Sequence, residues 1–302
     1  MKRFYASAAA LAIALAGCSS TGTNTLTSPG GTTLSSADAQ SISDETQSDV
    51  QDVTEGGSLF RFLSPGFWAP PQATRILRGP FFFQGILSGC PLLSPYPPVD
   101  SDSDGVPDSL TLAFNPSSCT FSRHDGRASL VLSGDITITD PSTTQQGFRI
   151  DYGDFQQTTT IQDSIFFLRG INGVWEVLKD TTGFTATDST TVTDSSSQYA
   201  TRTLAKAWQV SFVADSGNFS GRWHLPSGDY TINGTTTRTH GTATHVLGIT
   251  TVTPLHRDAS CDAFLKIVSG ELQVSHTDSA GTGTIQIVFN PCGQSPTVTT
   301  VP

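Results

Sequence analysis

The sequence predicts an all-β protein with an antiparallel, largely up-and-down sheet of roughly ten to twelve strands. Such a sheet is expected to curl into a barrel, a half-barrel or a sandwich, since very wide open sheets curl or split. One short helix is expected before it. Three observations predict this class. Past residue 58, apolar residues recur at every second position, the period of a strand with one buried face. The chain is rich in Thr, Ser and Gly and holds a single Met in 302 residues, a composition that favours strands and turns over helices. Turn-forming pairs separate the alternating runs with no helix-length pattern between them, which disfavours a βαβ topology.

The elements follow in order from the N terminus. Met1-Lys2-Arg3 precedes an apolar run from Ala8 to Ala16, ending in Leu15-Ala16-Gly17-Cys18. A basic start, a short apolar core and small residues before a cut are the parts of a secretory signal. The apolar core is too short to cross a bilayer, which takes about 20 residues. This stretch resembles the signal peptide and lipobox of bacterial lipoproteins, with Leu15 three residues before the cysteine and Gly17 directly before it. The resemblance implies that residues 1–17 are removed and that Cys18 becomes the first residue, carrying covalent lipid on its sulfur and amine. The membrane is then a partner through that anchor. Ser19 stands where an Asp often marks inner-membrane retention in this family, which implies the outer membrane of the cell envelope, facing either the periplasm or the surface.

Residues 18–57 are expected to form a lipidated tether. Residues 19–35 are mostly Ser, Thr, Gly and Asn, a flexible composition. Within the tether, Ala39, Ile42, Thr46, Val50 and Val53 are spaced as one face of a helix, predicting a helix over 36–54. Ser36 is the expected cap, Asp38 lies in the first turn, and Gly56-Gly57 is the stop signal. The acidic side, formed by Asp38, Asp44, Glu45, Asp49 and Asp52, is expected to face solvent.

Residues 58–302 are expected to form a single all-β domain. Leu130, Leu132, Ile136 and Ile138 share one strand face, with Gly134 between them. Trp208, Val210 and Phe212 share another; Phe264, Val268, Leu272 and Val274 a third; and Ile285, Ile287 and Phe289 a fourth. Asp140-Pro141, Gly153-Asp154, Asn172-Gly173, Asp215-Ser216-Gly217, Ser227-Gly228, Asn233-Gly234 and Ala280-Gly281 read as turns. Ser133-Gly134-Asp135-Ile136 echoes Ser269-Gly270-Glu271-Leu272, and Phe114-Asn115-Pro116 echoes Phe289-Asn290-Pro291. The order of the two elements is reversed between the halves, so this is not a tandem repeat. Phe60, Phe62, Phe67, Trp68, Phe81, Phe82 and Phe83 form an aromatic cluster expected to be mostly core.

Apart from Cys18, the cysteines are Cys90, Cys119, Cys261 and Cys292. An even number in an exported chain points to two disulfides. Of the three possible connectivities, Cys90–Cys119 with Cys261–Cys292 is preferred, because each pair is close in sequence and flanks a strand candidate. Each would close a loop of about 30 residues, worth about 3–4 kcal/mol in the chain-entropy model.

Without Lys2 and Arg3 the chain keeps 14 basic against 26 acidic residues, a net charge of −12. That argues against a nucleic-acid partner and against a basic patch for anionic lipid. Part of the acidity is concentrated in Asp100-Ser101-Asp102-Ser103-Asp104-Gly105-Val106-Pro107-Asp108. Alternate aspartates in a tight turn aim several oxygens at one point, which suits a hard cation. This stretch resembles the calcium repeats of thrombospondin type 3 modules and bacterial surface proteins. The resemblance implies a structural Ca²⁺ held by Asp100, Asp102, Asp104, Asp108 and the Val106 carbonyl. It departs from an EF-hand in having Thr111 at position twelve.

GxSxG, GxxxxGK and HExxH motifs are absent. His240 and His245, read as lying on one strand, would face opposite ways and hold no metal. Asp151 and Asp154 could supply a carboxylate pair but read as turn residues. The expectation is therefore a non-enzymatic, lipid-anchored envelope protein acting as a binding or structural module. The alternatives are a carrier of an apolar ligand or lipid in a curved sheet, and a hydrolase with an unrecognised site. An apolar concave cavity favours the carrier, an interior filled by side chains favours the module, and a pocket of convergent polar groups favours the hydrolase. The residues leave open whether the module meets a protein or an apolar ligand.

Overall fold

The computed structural model describes residues 34–54, 89–122, 127–142, 145–161, 164–196, 200–217, 219, 225–263, 266–279 and 281–301. Residues 1–17 expected to be a signal peptide, Cys18, the aromatic residues between Phe60 and Phe83, Gly56-Gly57 and Phe264 lie outside the described residues.

Helix α1 (Ser36–Thr54) precedes β1 (Leu92–Ser94), β2 (Ser109–Phe114), β3 (Thr120–Ser122), β4 (Ala128–Thr139), β5 (Gly147–Ile161), β6 (Ser164–Lys179) and β7 (Gly183–Ser196). There follow β8 (Arg202–Ala214), β9 (Gly228–His240), β10 (Ala243–Arg257), β11 (Ile267–Asp278), β12 (Gly281–Val288) and β13 (Thr297–Val301). Among the described residues, all thirteen strands lie in one antiparallel sheet, and from β4 onward each pairs with its sequence neighbours; β3 adds to β4 beside β2. The path runs from edge strand β1 to edge strand β13 without closing into a barrel. The strand number exceeds the sequence expectation because β1 and β3, three residues each, are too short to show a period.

Three of the expected turns lie inside strands. Gly153-Asp154, Asn172-Gly173 and Asn233-Gly234 fall within β5, β6 and β9. Gly173 and Gly234 have φ of 113° and 147°, values open to glycine and closed to most other residues. A Cβ at either would strike the backbone of the neighbouring strand, at Ser189 and Ala207 respectively. These glycines bend long strands rather than ending them, which is how a wide sheet acquires curvature. The same device explains the echo. Phe114 pairs directly with Gly134 of β4, and the Phe289 N–H donates to the Gly270 carbonyl of β11 at 2.9 Å. Each Phe-Asn-Pro segment therefore ends its strand against a positive-φ glycine, and antiparallel pairing accounts for the reversed order. Gly270 also shifts the phase of β11: Ile267 is buried rather than Val268, correcting the face inferred from spacing.

One phase of every long strand faces the inside of the curl. Tyr230, Ile232, Gly234, Thr236 and Arg238 of β9 stand opposite Phe212, Val210, Trp208, Lys206 and Leu204 of β8. Inward residues from β2 through β12 belong to one core cluster that includes Ala39, Ile42 and Val50 of α1. The lower rim carries the 99–108 loop and the turns after β4, β6, β8 and β10; the upper rim carries the turns after β5, β7, β9 and β11. Near the lower rim, Phe184, Phe212, Phe219 and Tyr230 pack ring against ring, with Phe212 and Tyr230 centroids 4.7 Å apart.

Helix α1 lies across the concave face. Leu34, at its N-terminal end, packs over Gly283 near the upper rim, and the Thr54 carbonyl, at its C-terminal end, accepts from the Tyr230 hydroxyl at 3.5 Å. Its cap is Ser35 rather than Ser36: the Asp38 N–H donates to Ser35 Oγ at 3.1 Å, and the Asp38 carboxylate accepts the Ser35 N–H at 3.3 Å, a capping box. Ile42 and Val50 are buried, each contributing about 2 kcal/mol on the usual side-chain scale. Two disulfides, Cys90–Cys119 and Cys261–Cys292, tie loops at the two ends of the sheet.

Candidate functional site

Among the described residues, three groupings of polar side chains stand out. The first is the acidic loop on the lower rim. One carboxylate oxygen from each of Asp100, Asp102 and Asp104 lies within 4.8 Å of the others. Ser103 and Gly105 take φ of 60° and 96°, folding the loop back on itself. The Asp100 carboxylate accepts the Gly105 N–H at 3.0 Å and Asp104 accepts that of Val106 at 2.7 Å. Asp100 Oδ1 and Asp104 Oδ2 are shielded from solvent without a hydrogen-bond donor. Burial raises the Asp104 pKa, and the neighbouring Asp102, Asp140 and Asp100 add to the rise. A divalent cation would satisfy those oxygens and neutralise that repulsion. Asp108 is not part of this cluster: its carboxylate accepts the Ser101 N–H and hydroxyl at 2.8 and 2.5 Å, contacts that hold its pKa down. Val106 packs against the core.

The second grouping is a polar network inside the curl, centred on α1. Asp49, expected to face solvent, is 4 % exposed. Its Oδ2 accepts from Arg238 Nη2 at 2.7 Å and from the Thr236 hydroxyl at 3.4 Å. Thr236 in turn accepts from the Trp208 indole N–H at 3.0 Å. Lys206 Nζ lies 3.8 Å from Asp49 and 5.2 Å from the Trp208 ring centre. One turn earlier, Glu45 Oε1 lies 2.6 Å from Arg238 Nε and 3.1 Å from His245 Nε2. The helix is buried on more than its apolar stripe because the sheet wraps around it. Asp188 on β7 completes the network; burial raises its pKa, while the Thr190 hydroxyl and Lys206 oppose the rise. Burial also pushes the Tyr152 phenol up, with Asp188 adding to it.

Sequence reasoning missed this network because its members come from five elements, α1 and β7 to β10. A signal was present: Lys206 and Arg238 share the strand phase of Trp208 and Thr236, so two cations sat on a face otherwise marked for burial. His240 and His245 also differ from expectation. They occupy β9 and β10, on either side of a turn, and belong to the inward phase of both strands. Asp151 is a strand residue paired with Arg149 at 2.9 Å, and Asp154 sits in the β5 bulge with φ of 50°.

A third cluster joins residues distant in sequence. His256 Nδ1 lies 2.8 Å from Asp229 Oδ1, and its Nε2 lies 3.7 Å from Asp215 Oδ2. This exposed group ties the β8–β9 turn to β10 on the lower rim. Comparison with family models, curated proteins and solved structures gives no match.

Proposed function

We propose that the chain is a non-enzymatic, lipid-anchored module of the cell envelope, held in the outer membrane through Cys18 and serving a binding or structural role. The observation that carries the choice of a module over a carrier is α1. The concave face is occupied by a helix whose Asp49 and Glu45 are paired with the wall, so an apolar ligand would have to displace those ion pairs. The acidic loop fits a structural Ca²⁺ held by Asp100, Asp102 and Asp104, where it would brace the start of β2.

The anchor is tested by the intact mass of protein extracted from membranes. The expected product begins at Cys18 with the mass of its acyl chains, and Cys18→Ser abolishes that modification. An N terminus cut elsewhere, or an unmodified Cys18 thiol, would overturn the anchor reading.

A further inference from the structure

We infer that His256, Asp215 and Asp229 form a site for a zinc-class divalent cation on the lower rim, separate from the acidic loop. One ligand atom from each residue lies within 4.8 Å of the other two. Two ligands on a tetrahedral zinc, each about 2.1 Å from the metal, stand about 3.4 Å apart. His256 Nε2 and Asp215 Oδ2 are 3.7 Å apart, so a small rotation of either side chain brings both onto one ion. On the other side of the ring, Nδ1 lies 2.8 Å from Asp229 Oδ1. With Nε2 on the metal, Nδ1–H donates to that carboxylate, which fixes the tautomer and aims the ring. Asp229 thus holds the imidazole while its carboxylate stays within reach of the ion, and water fills the remaining positions.

The backbone sets these donors in place. His256 and Asp229 are directly opposite on β10 and β9, and Asp229 is opposite Val213 on β8. The Asp215 N–H donates to the Ser227 carbonyl at 3.0 Å, which seats it beside them. On either side of His256, Leu255 and Arg257 are buried, and Arg257 Nη1 donates to the Leu225 carbonyl at 2.7 Å. Donors carried by anchored strands keep their geometry better than donors on loops. The side chains of His256, Asp215 and Asp229 are 34 %, 49 % and 54 % exposed, which gives an ion a path in. As ion pairs alone, groups this exposed contribute little to stability. The donor set distinguishes the site from that of Asp100, Asp102 and Asp104. An imidazole nitrogen suits zinc and its transition-metal neighbours, whereas carboxylates alone suit calcium and magnesium.

The test titrates zinc chloride into the purified full chain by calorimetry, with both disulfides oxidised and calcium in excess to occupy the acidic loop. Isotope-labelled histidine reports the ring nitrogens in parallel by nuclear magnetic resonance. The expected result is one equivalent of bound zinc, with the His256 Nε2 resonance shifted and its Nδ1–H retained. His256→Ala should abolish the binding. Asp229→Ala should weaken it about 10–100-fold, the range for losing a carboxylate that orients a ligating histidine. Asp104→Asn should leave it unchanged. Far-ultraviolet circular dichroism checks that each variant is folded, and the labelled unaltered chain decides the question without any variant. No zinc heat in the unaltered chain would overturn the site. So would zinc binding that persists in His256→Ala, or that shifts other histidines and leaves His256 unmoved.

Discussion

Asp49 takes two cations, Lys206 and Arg238, into the curl with it. Its loss leaves Arg238 with Glu45 alone and Lys206 beside Asp188. Removing one member of a buried ion pair strands the other charge. Asp49→Ala should lower the unfolding free energy in urea by about 3 kcal/mol, at the low end for a buried pair because Arg238 keeps some water contact. Glu45→Ala, at a more exposed position, should cost about 1 kcal/mol. Asp188 acts in the opposite sense. Its native pKa lies above that of the unfolded chain, so the native state keeps its proton over a window where the unfolded state has lost it. Its contribution to stability therefore falls as pH rises from the ordinary carboxylate range through the raised value. Asp188→Asn should raise the urea midpoint at neutral pH and have little effect in acid. In the acidic loop, calorimetry should detect calcium binding in roughly the 0.1–1 mM range expected of extracellular modules. Asp104→Asn should remove that heat; absence of both heat and a melting shift in the unaltered chain would remove the metal.

At the scale of elements, the two disulfides differ in access. Cys90 and Cys119 are both buried, whereas Cys292 is exposed beside buried Cys261. Limiting reductant on the native protein should open Cys261–Cys292 first, read by mass after thiol alkylation; simultaneous opening would show that reduction follows global unfolding. Opening that bridge should cost about 3–4 kcal/mol on the loop-length model. The strands themselves were legible in the sequence wherever alternation ran undisturbed, as in Trp208-Val210-Phe212. Legibility failed at Gly153, Gly173, Gly234 and Gly270, since a glycine beside Asn, Asp or Ser carries the same local signal whether it ends a strand or bends one. Only the neighbouring strand decides, and that neighbour is a long-range contact. For α1, the 3.6-residue spacing gave the helix, but the fate of its acidic side depended on Lys206 and Arg238, which are more than 150 residues away. Asp100, Asp102 and Asp104 were legible as a cluster because a tight loop brings them together locally. The contact of Asp108 with Ser101 was not legible, because its spacing fits a ligand equally well as a partner for that serine.

For the whole molecule, the claim is that the open sheet is completed by α1. The helix fills the concave face and begins near the upper rim, so the proposed lipid tether leaves the domain at a fixed place. A mobile lid would share the sequence of such a helix but not its energetics. A segment fixed in the core exchanges its amide hydrogens only on global unfolding, whereas a lid opens locally at far lower free energy. The most direct test is native-state hydrogen exchange of the purified chain, comparing α1 with β9 and β10. Amides of Ile42 through Val50 should exchange at the global rate, with the same denaturant dependence as those of Ile232 and Leu247. Fast exchange of α1 at low denaturant, with β9 and β10 still fully protected, would contradict the account and favour a ligand-gating lid.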